Sequence, residues 1–233
     1  MSASPTSAEL RQEACSASAA YLFIKRAADI VFSLLLIIVL SPLMLVLALT
    51  VKLGDRGKIL FCHERMGKNF KKFKIYKFRT MVENADQLIS EFSPEQEKEF
   101  AESFKLKNDP RVTPIGRFLR QTSLDELPQL FNILKGDMSF VGPRPITENE
   151  LDFFGNSQAL LLSVRPGLTG FWAANDRGHK SYRRRRAMEI YYVKNQSLTL
   201  DLVILLKTVV TVLKGDDAEK KTDKVDDNAE HTA

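Results

Sequence analysis

From Ile30 to Val51 the chain reads IVFSLLLIIVLSPLMLVLALTV, without one charged residue. At about 1.5 Å per residue, a helix over this run would reach across the ~30 Å hydrocarbon layer of a bilayer. It has no polar face of the kind a soluble core helix turns to water, so a buried core helix is the poorest reading. Ser41-Pro42 falls at the middle of the run, where proline removes a backbone donor and pushes the residue before it out of helical geometry. The flanks are basic on both sides, with Lys25 and Arg26 before, Lys52, Arg56 and Lys58 after. The positive-inside tendency therefore asks for both ends in the cytoplasm. A helix broken at Ser41-Pro42 that enters and leaves the same leaflet meets both conditions. A kinked spanning anchor is the alternative, and the residues leave it open.

The rest of the 233 residues suffices for one globular domain. Hydrophobic residues at 44% and charged residues at 27% exclude a chain disordered throughout. The net charge of +5 admits nucleic acid, anionic lipid or a phosphorylated substrate without choosing among them. Cys15 and Cys62 build no disulfide framework, which fits a reducing compartment and speaks against a metal cluster. Residues 1–20, rich in Ser, Ala and Glu, and the charged residues 215–233 read as disordered tails. That leaves 21–53 for the membrane helix and 54–214 for the globular domain.

After a turn at Gly54-Asp55-Arg56-Gly57, the stretch to Met81 reads either as one alternating strand from Phe70 or as two short strands joined by a turn at Gly67 to Asn69. Period two places Phe73, Ile75, Lys77 and Arg79 on one face. Cations continuing an apolar face either meet an anion or snorkel to water, and both readings stand. His63 has no partner at ligand spacing and reads as structural or exposed. Glu83 to Lys105 reads as surface helix interrupted at Ser93-Pro94, Asn108 to Pro114 as turn, and Ile115 to Arg120 as a short basic helix. Asp125 and Glu126 follow, where another short helix should begin. Ser123 with Glu126 three residues on fits a capping box, and acids in a first turn favour the helix dipole. The same carboxylate pair within reach of fixed cations also suits phosphate-ester chemistry, an acid serving as nucleophile or base. Pro128 belongs to the first turn of the next helix, and Gly136 closes it. Gly142-Pro-Arg144-Pro145 and Arg165-Pro-Gly167 are rigid loops, each able to present a guanidinium. Arg183 to Arg186 reads as a nucleic-acid patch, a lipid-headgroup patch or a solvated helix face. Beside a membrane element and without a zinc-finger or RNP-type signature, the headgroup reading is the economical one. Leu198 to Leu213 carries apolar residues at helical spacing and suits an interfacial helix or a core helix equally.

Taken in order, several stretches resemble the bacterial sugar transferase family, the monotopic phosphoglycosyl transferases. They are the hydrophobic run with its Ser41-Pro42, Lys77-Phe-Arg79-Thr-Met81, Asp109-Pro-Arg111-Val-Thr, Arg120…Ser123-Leu-Asp125-Glu126-Leu-Pro-Gln, Gly136-Asp-Met-Ser, Gly142-Pro-Arg144-Pro and Arg165-Pro-Gly-Leu-Thr-Gly. The resemblance covers roughly Tyr21 to Leu213, and its short form is similar to the transferases that begin exopolysaccharide repeat units. It departs at Trp172-Ala-Ala-Asn175-Asp-Arg-Gly178, where an amide after the tryptophan and a glycine before the arginine would be expected.

The resemblance implies a mixed α/β, mainly helical fold: a small catalytic domain with an N-terminal re-entrant helix and interfacial amphipathic helices. It implies transfer of a sugar-1-phosphate from a UDP-sugar to undecaprenyl phosphate through a phospho-sugar ester on Asp125, with release of UMP. Glu126 would position or deprotonate the lipid phosphate, and Mg²⁺ near Asp125 would neutralise the diphosphate. Lys77, Arg79, Arg120 and Arg144 would clamp phosphate, with Arg165 a further ligand. Galactose is the expected sugar, glucose and N-acetylated sugars being alternatives. The expected place is the cytoplasmic face of the bacterial inner membrane, with membrane lipid as a partner and no nucleic acid. A homo-oligomer is left open. The contrasting expectation is a non-catalytic peripheral membrane protein that binds anionic lipid or nucleic acid.

Overall fold

The computed structural model describes residues 17–55, 57–103, 106, 108–175 and 181–214. Most of the expected N-terminal tail, the C-terminal tail and the loop 176–180 after Trp172 lie outside them.

Helix α1, Ala19–Asp55, is a single helix of 37 residues with Pro42 inside it. It begins within the stretch read as tail, and the expected break at Ser41-Pro42 is not a gap in the helix. Among the described residues it is the one helix long and apolar enough to cross a membrane, by length and composition. Strands β1, Leu60–Met66, and β2, Lys72–Phe78, pair in a two-stranded sheet. Of the two readings the structure takes the second, two strands joined by a tight turn. Asn69 and Phe70 take left-handed backbone there, and the Gly67 N–H donates to the Lys71 carbonyl at 2.9 Å.

The chain divides into two compact units, both drawing on α1 and on the β1–β2 pair. The first comprises the described parts of Met1–Val39, Cys62–Ile75 and Gln129–Ala233. Its secondary structure includes α4 (Gln129–Lys135), β3 (Ser139–Val141), α5 (Gln158–Leu161), β4 (Gly167–Thr169), α6 (Phe171–Asn175), α7 (Tyr182–Lys194) and α8 (Leu198–Lys214). Strands β3 and β4 run parallel, Ser139 opposite Gly167 and Val141 opposite Thr169. The two Gly-Pro loops at their ends meet backbone to backbone. A Cβ on Gly167 would lie 2.1 Å from the Gly142 nitrogen, and one on Gly170 would lie 2.2 Å from the Gly142 oxygen. Only glycine permits that approach. Val141, Leu160, Tyr192, Val193 and Ile204 form one core cluster, and Met66, Ile146, Leu151, Phe154, Leu161 and Leu162 another.

The N-terminal part of α1 is tied to this unit by polar side chains. Asp201 accepts from Tyr21 (2.9 Å), Tyr192 (2.7 Å) and Lys25 (2.6 Å). Asp29 accepts from the Ser139 hydroxyl and the Phe140 N–H. Arg26 donates to the Ile133 and Leu134 carbonyls at the C-terminal end of α4, where Ile133 also accepts from the Gly136 N–H. Helix α8 is inverted relative to a soluble amphipathic helix. Asp201 and Ile204 are buried and Thr208 is half-buried, while Leu202, Val203, Leu205, Leu206, Val209 and Val210 are exposed. Of the two readings of this segment, that pattern fits the interfacial one.

The second unit, Leu40–Phe61 and Tyr76–Pro128, packs Leu47 and Val51 of α1 against Phe78 and Leu119. It also holds α2 (Pro94–Ser103) and α3 (Pro114–Gln121).

Candidate active site

In the second unit β2 ends at Phe78, one residue before Arg79, and the chain turns across the start of α3. Thr113 caps α3, its hydroxyl accepting from the Gly116 N–H at 3.0 Å, and Pro114 occupies the first turn. The Thr80 carbonyl accepts from the Thr113 N–H, and a Cβ on Gly116 would lie 2.0 Å from the same oxygen. The Arg79–Met81 segment is thereby pressed onto α3, whose last turn carries Arg120. Arg120 donates from Nε to the Thr80 hydroxyl at 2.9 Å.

Past α3 the backbone reverses at Ser123, a non-glycine residue at φ 55°, and enters a single 3₁₀ turn, Leu124–Glu126. The Ser123 side chain makes no capping hydrogen bond. Glu126 does not complete a capping box either, because its Oε1 accepts from Lys77 Nζ at 2.6 Å. The capping reading therefore fails on geometry, and a left-handed serine with two acids behind it needs another reason.

Lys77 lies between the two carboxylates, 2.6 Å from Glu126 and 3.7 Å from the Oδ2 of Asp125. The cation on the apolar face of β2 thus meets its anion, as one of the two sequence readings required. Asp125 is buried at 8% exposure. Burial pushes its carboxyl above the ordinary range, the neighbouring Glu126 pushes the same way, and Lys77 and Arg120 pull it back. Arg79 is buried too, donating to the Lys58 carbonyl at 2.5 Å and the Met81 carbonyl at 3.3 Å. These bonds give Arg79 a bracing role for the loop, whatever it does toward a ligand.

Behind the site, Asp109 and Arg111 form a bidentate pair, Nε to Oδ1 at 2.9 Å and NH2 to Oδ2 at 2.8 Å. The Arg111 guanidinium sits 5.1 and 5.0 Å from the ring centroids of Phe92 and Phe100. Burial alone would raise Asp109, but its bonds to Arg111 outweigh that and hold it below the ordinary carboxylate range. The Asp-Pro-Arg-Val-Thr stretch, legible only as a turn, is the brace that carries Val112 to its bridge with Met81.

The remaining two expected ligands belong to the first unit. Arg165 donates to the Gly136 carbonyl at 2.8 Å, a structural bond at the end of α4. Arg144 is exposed at the tip of the Gly-Pro-Arg-Pro loop. Its backbone N–H donates to Oε1 of Glu189 at 3.0 Å, and its guanidinium lies 5.9 Å from the Trp172 ring centroid. Arg185 lies 5.1 Å from the same ring and pairs with Glu150 at 3.3 Å. The run Arg183 to Arg186 is thus no uniform patch: Arg185 is buried, Arg186 donates to Ser157, and Arg183 and Arg184 are exposed. Sequence reasoning missed Glu189. Its signal was position, since it lies one turn before Tyr192 and Val193 on the face of α7 that is buried.

Among the described residues no three His, Cys, Asp or Glu side chains converge to hold a metal. Asp125 and Glu126 together fit the other mode, in which Mg²⁺ takes one or two protein carboxylates and completes its shell with substrate phosphates.

A buried acid beside a lysine and within the field of an arginine, on a turn without capping function, is an arrangement suited to phosphate chemistry. The family model described as bacterial sugar transferase matches residues 20–215, and the chain belongs to that family. It is 46% identical over 199 residues to an undecaprenyl-phosphate galactose phosphotransferase of Salmonella typhimurium, covering 84% of this chain and 42% of that protein. It is 47% identical over 191 residues to the exopolysaccharide production protein ExoY of Sinorhizobium fredii, covering 81% and 84%. A UDP-glucose:undecaprenyl-phosphate glucose-1-phosphate transferase of Klebsiella pneumoniae is 39% identical over 196 residues, covering 79% and 39%. The chain therefore spans less than half the length of the Salmonella and Klebsiella relatives and most of ExoY.

Proposed function

We propose that this protein transfers a sugar-1-phosphate from a UDP-sugar to undecaprenyl phosphate, and that Asp125 carries the phospho-sugar between them. The observation that carries the reading is the raised, buried Asp125 carboxyl 3.7 Å from Lys77 and within the field of Arg120. An acid out of water keeps few hydrogen bonds to weaken it as a nucleophile, while the two cations hold the phosphate whose charge must be screened. In the first step an Asp125 oxygen attacks the sugar-bearing phosphorus. The bond from that phosphorus to the bridging oxygen breaks, and UMP leaves with the bridging oxygen. In the second step an oxygen of undecaprenyl phosphate attacks the same phosphorus, the bond to Asp125 breaks, and the lipid diphosphosugar leaves. Glu126, held by Lys77, orients the incoming lipid phosphate or accepts its proton. Lys77 and Arg120 hold the diphosphate, and Arg144 is proposed as a further phosphate ligand. Mg²⁺, held by Asp125 with the diphosphate oxygens, would supply charge neutralisation there.

Galactose is the proposed sugar, supported by the higher identity to the galactose phosphotransferase than to the glucose enzyme. The proposed place is the cytoplasmic face of the inner membrane, at the first membrane step of exopolysaccharide synthesis. Helix α1 would enter and leave one leaflet with Pro42 at its deepest point, and α8 would lie in the interface on its apolar face. The basic flanks of α1 support the first placement.

The test is UMP release by the full chain in detergent with undecaprenyl phosphate and Mg²⁺, across a panel of UDP-sugars. A second arm omits the lipid and looks by mass spectrometry for one hexose phosphate on Asp125. Release with UDP-galactose and a labelled Asp125 are the expected results. Release without any enzyme-bound sugar, under rapid quench, would replace the covalent route by direct transfer. No release with any sugar would leave a peripheral lipid-binding protein.

A further inference from the structure

The loop Gly142-Pro-Arg144-Pro145 is rigid within itself, yet rigidity does not fix where it points. The sole backbone N–H that the two prolines leave in its second half is that of Arg144, and it donates to a side chain, Glu189, on another element. Glu189 is 1% exposed, among the largest fully buried side chains of the molecule, and charged residues are almost never so placed without a partner. Its second oxygen, Oε2, is buried and finds no hydrogen-bond donor among the described residues. A carboxylate spending its one satisfied oxygen on this N–H is a costly choice if the loop could be held otherwise. The surroundings point the same way. Arg185, one turn earlier on α7, is stacked on Trp172, whose ring also lies under the Arg144 guanidinium. Arg185 is itself held by Glu150, which pairs with Arg65 of β1 as well.

We propose that Glu189 is a positioning residue: by accepting the Arg144 N–H it sets the direction in which this guanidinium is presented against Trp172 to a substrate phosphate. The inference rests on the reading of Arg144 as a phosphate ligand. Burial raises the Glu189 carboxyl to about 7, against the lowering effects of the Arg144 N–H and of the Arg185 and Arg144 guanidiniums. Those are the charged groups facing it from the loop and from its own helix, with Glu150 behind Arg185.

Two measurements on the full chain in detergent test this. Amide hydrogen exchange at Arg144 should speed up about tenfold in Glu189→Ala, the scale of one lost hydrogen bond. It should stay near wild type in Glu189→Gln, whose carboxamide oxygen can still accept. Exchange within α7 should be unchanged in both, which a general loss of packing would not allow. In UMP-release kinetics Glu189→Ala should lower kcat/KM for the UDP-sugar, and the double variant with Arg144→Ala should be no worse than Arg144→Ala alone. Unchanged Arg144 exchange in Glu189→Ala, or additive kinetic losses, would overturn the proposal. A wild type that turns over no UDP-sugar would remove the functional reading, and the exchange arm would still decide whether Glu189 holds the loop.

Discussion

Asp125 sits in an environment that opposes its own charge, and this makes a prediction with two signs. Its folded pKa is raised, chiefly by burial. The folded state therefore binds a proton more readily than the unfolded chain. The stabilisation this provides is complete below the ordinary aspartate pKa and is lost as pH rises through the folded value. At neutral pH the ionised side chain is a net cost to folding. Asp125→Asn should abolish UMP release, by about 10⁴-fold or more on the scale of a lost nucleophile, while its melting temperature at pH 7.5 equals or exceeds that of wild type. A melting temperature well below wild type would mean that the carboxylate is structural. Lys77→Gln removes the cation that holds the Asp125 pKa down, so the acid limb of the pH–rate profile should move to higher pH. At this scale much of the site was legible. Adjacent acids and nearby cations are visible as residues, and period two correctly offered Lys77 to an anion. The choice between capping box and reactive pair was not legible, because both use the same letters. A left-handed φ at Ser123 and a lysine drawn from β2 rule out the capping box, and the reactive pair is the reading that is left to propose.

At the scale of elements, the site depends on backbone contacts that side-chain patterns hardly report. Period two over-extended β2 to Arg79. The strand stops because the chain must pass Gly116, where the Thr80 carbonyl comes so near that no Cβ fits. Gly116→Ala should therefore displace the Arg79–Met81 segment and break the Arg120–Thr80 bond. The expected loss is about 1–3 kcal/mol of stability for overpacking, with activity falling further than stability alone explains. Chemical denaturation beside UMP release checks this, and equal losses in both would reduce the segment to a packing element. The two Gly-Pro loops were read as rigid loops that present a guanidinium. Their closer role, backbone apposition of Gly142 with Gly167 and Gly170, needed the fold because it joins β3 to β4 across a distant stretch of sequence. The Asp109–Arg111 brace was hidden for the opposite reason. A turn-rich sequence gives no sign that its arginine will lie between two phenylalanines from the preceding insertion.

At the scale of the whole molecule, the membrane reading of α1 was plain from the sequence. That of α8 was not, because one apolar periodicity serves a core helix and an interfacial helix alike. Burial separates them. The inner face of α8 carries Asp201, the hub for Tyr21, Lys25 and Tyr192, and the outer face carries the leucines and valines. A soluble protein would gain solubility from making that outer face polar. A protein lying on lipid would lose its seating there while α1 kept it attached, since an apolar helix of this length holds far more tightly than one interfacial face. Replacing Leu202, Leu206 and Val209 together by Gln should therefore leave the protein in the membrane pellet. KM for undecaprenyl phosphate should rise several-fold, with KM for the UDP-sugar little changed. The split matters, because only the lipid acceptor has to be met at a fixed depth. A fluorophore at Val209 in vesicles containing brominated lipid should be quenched, and one at the exposed Cys62 much less so. Equal quenching at both, or a variant with unaltered lipid KM, would show that α8 faces water or protein and that α1 alone sets the height of the site above the bilayer.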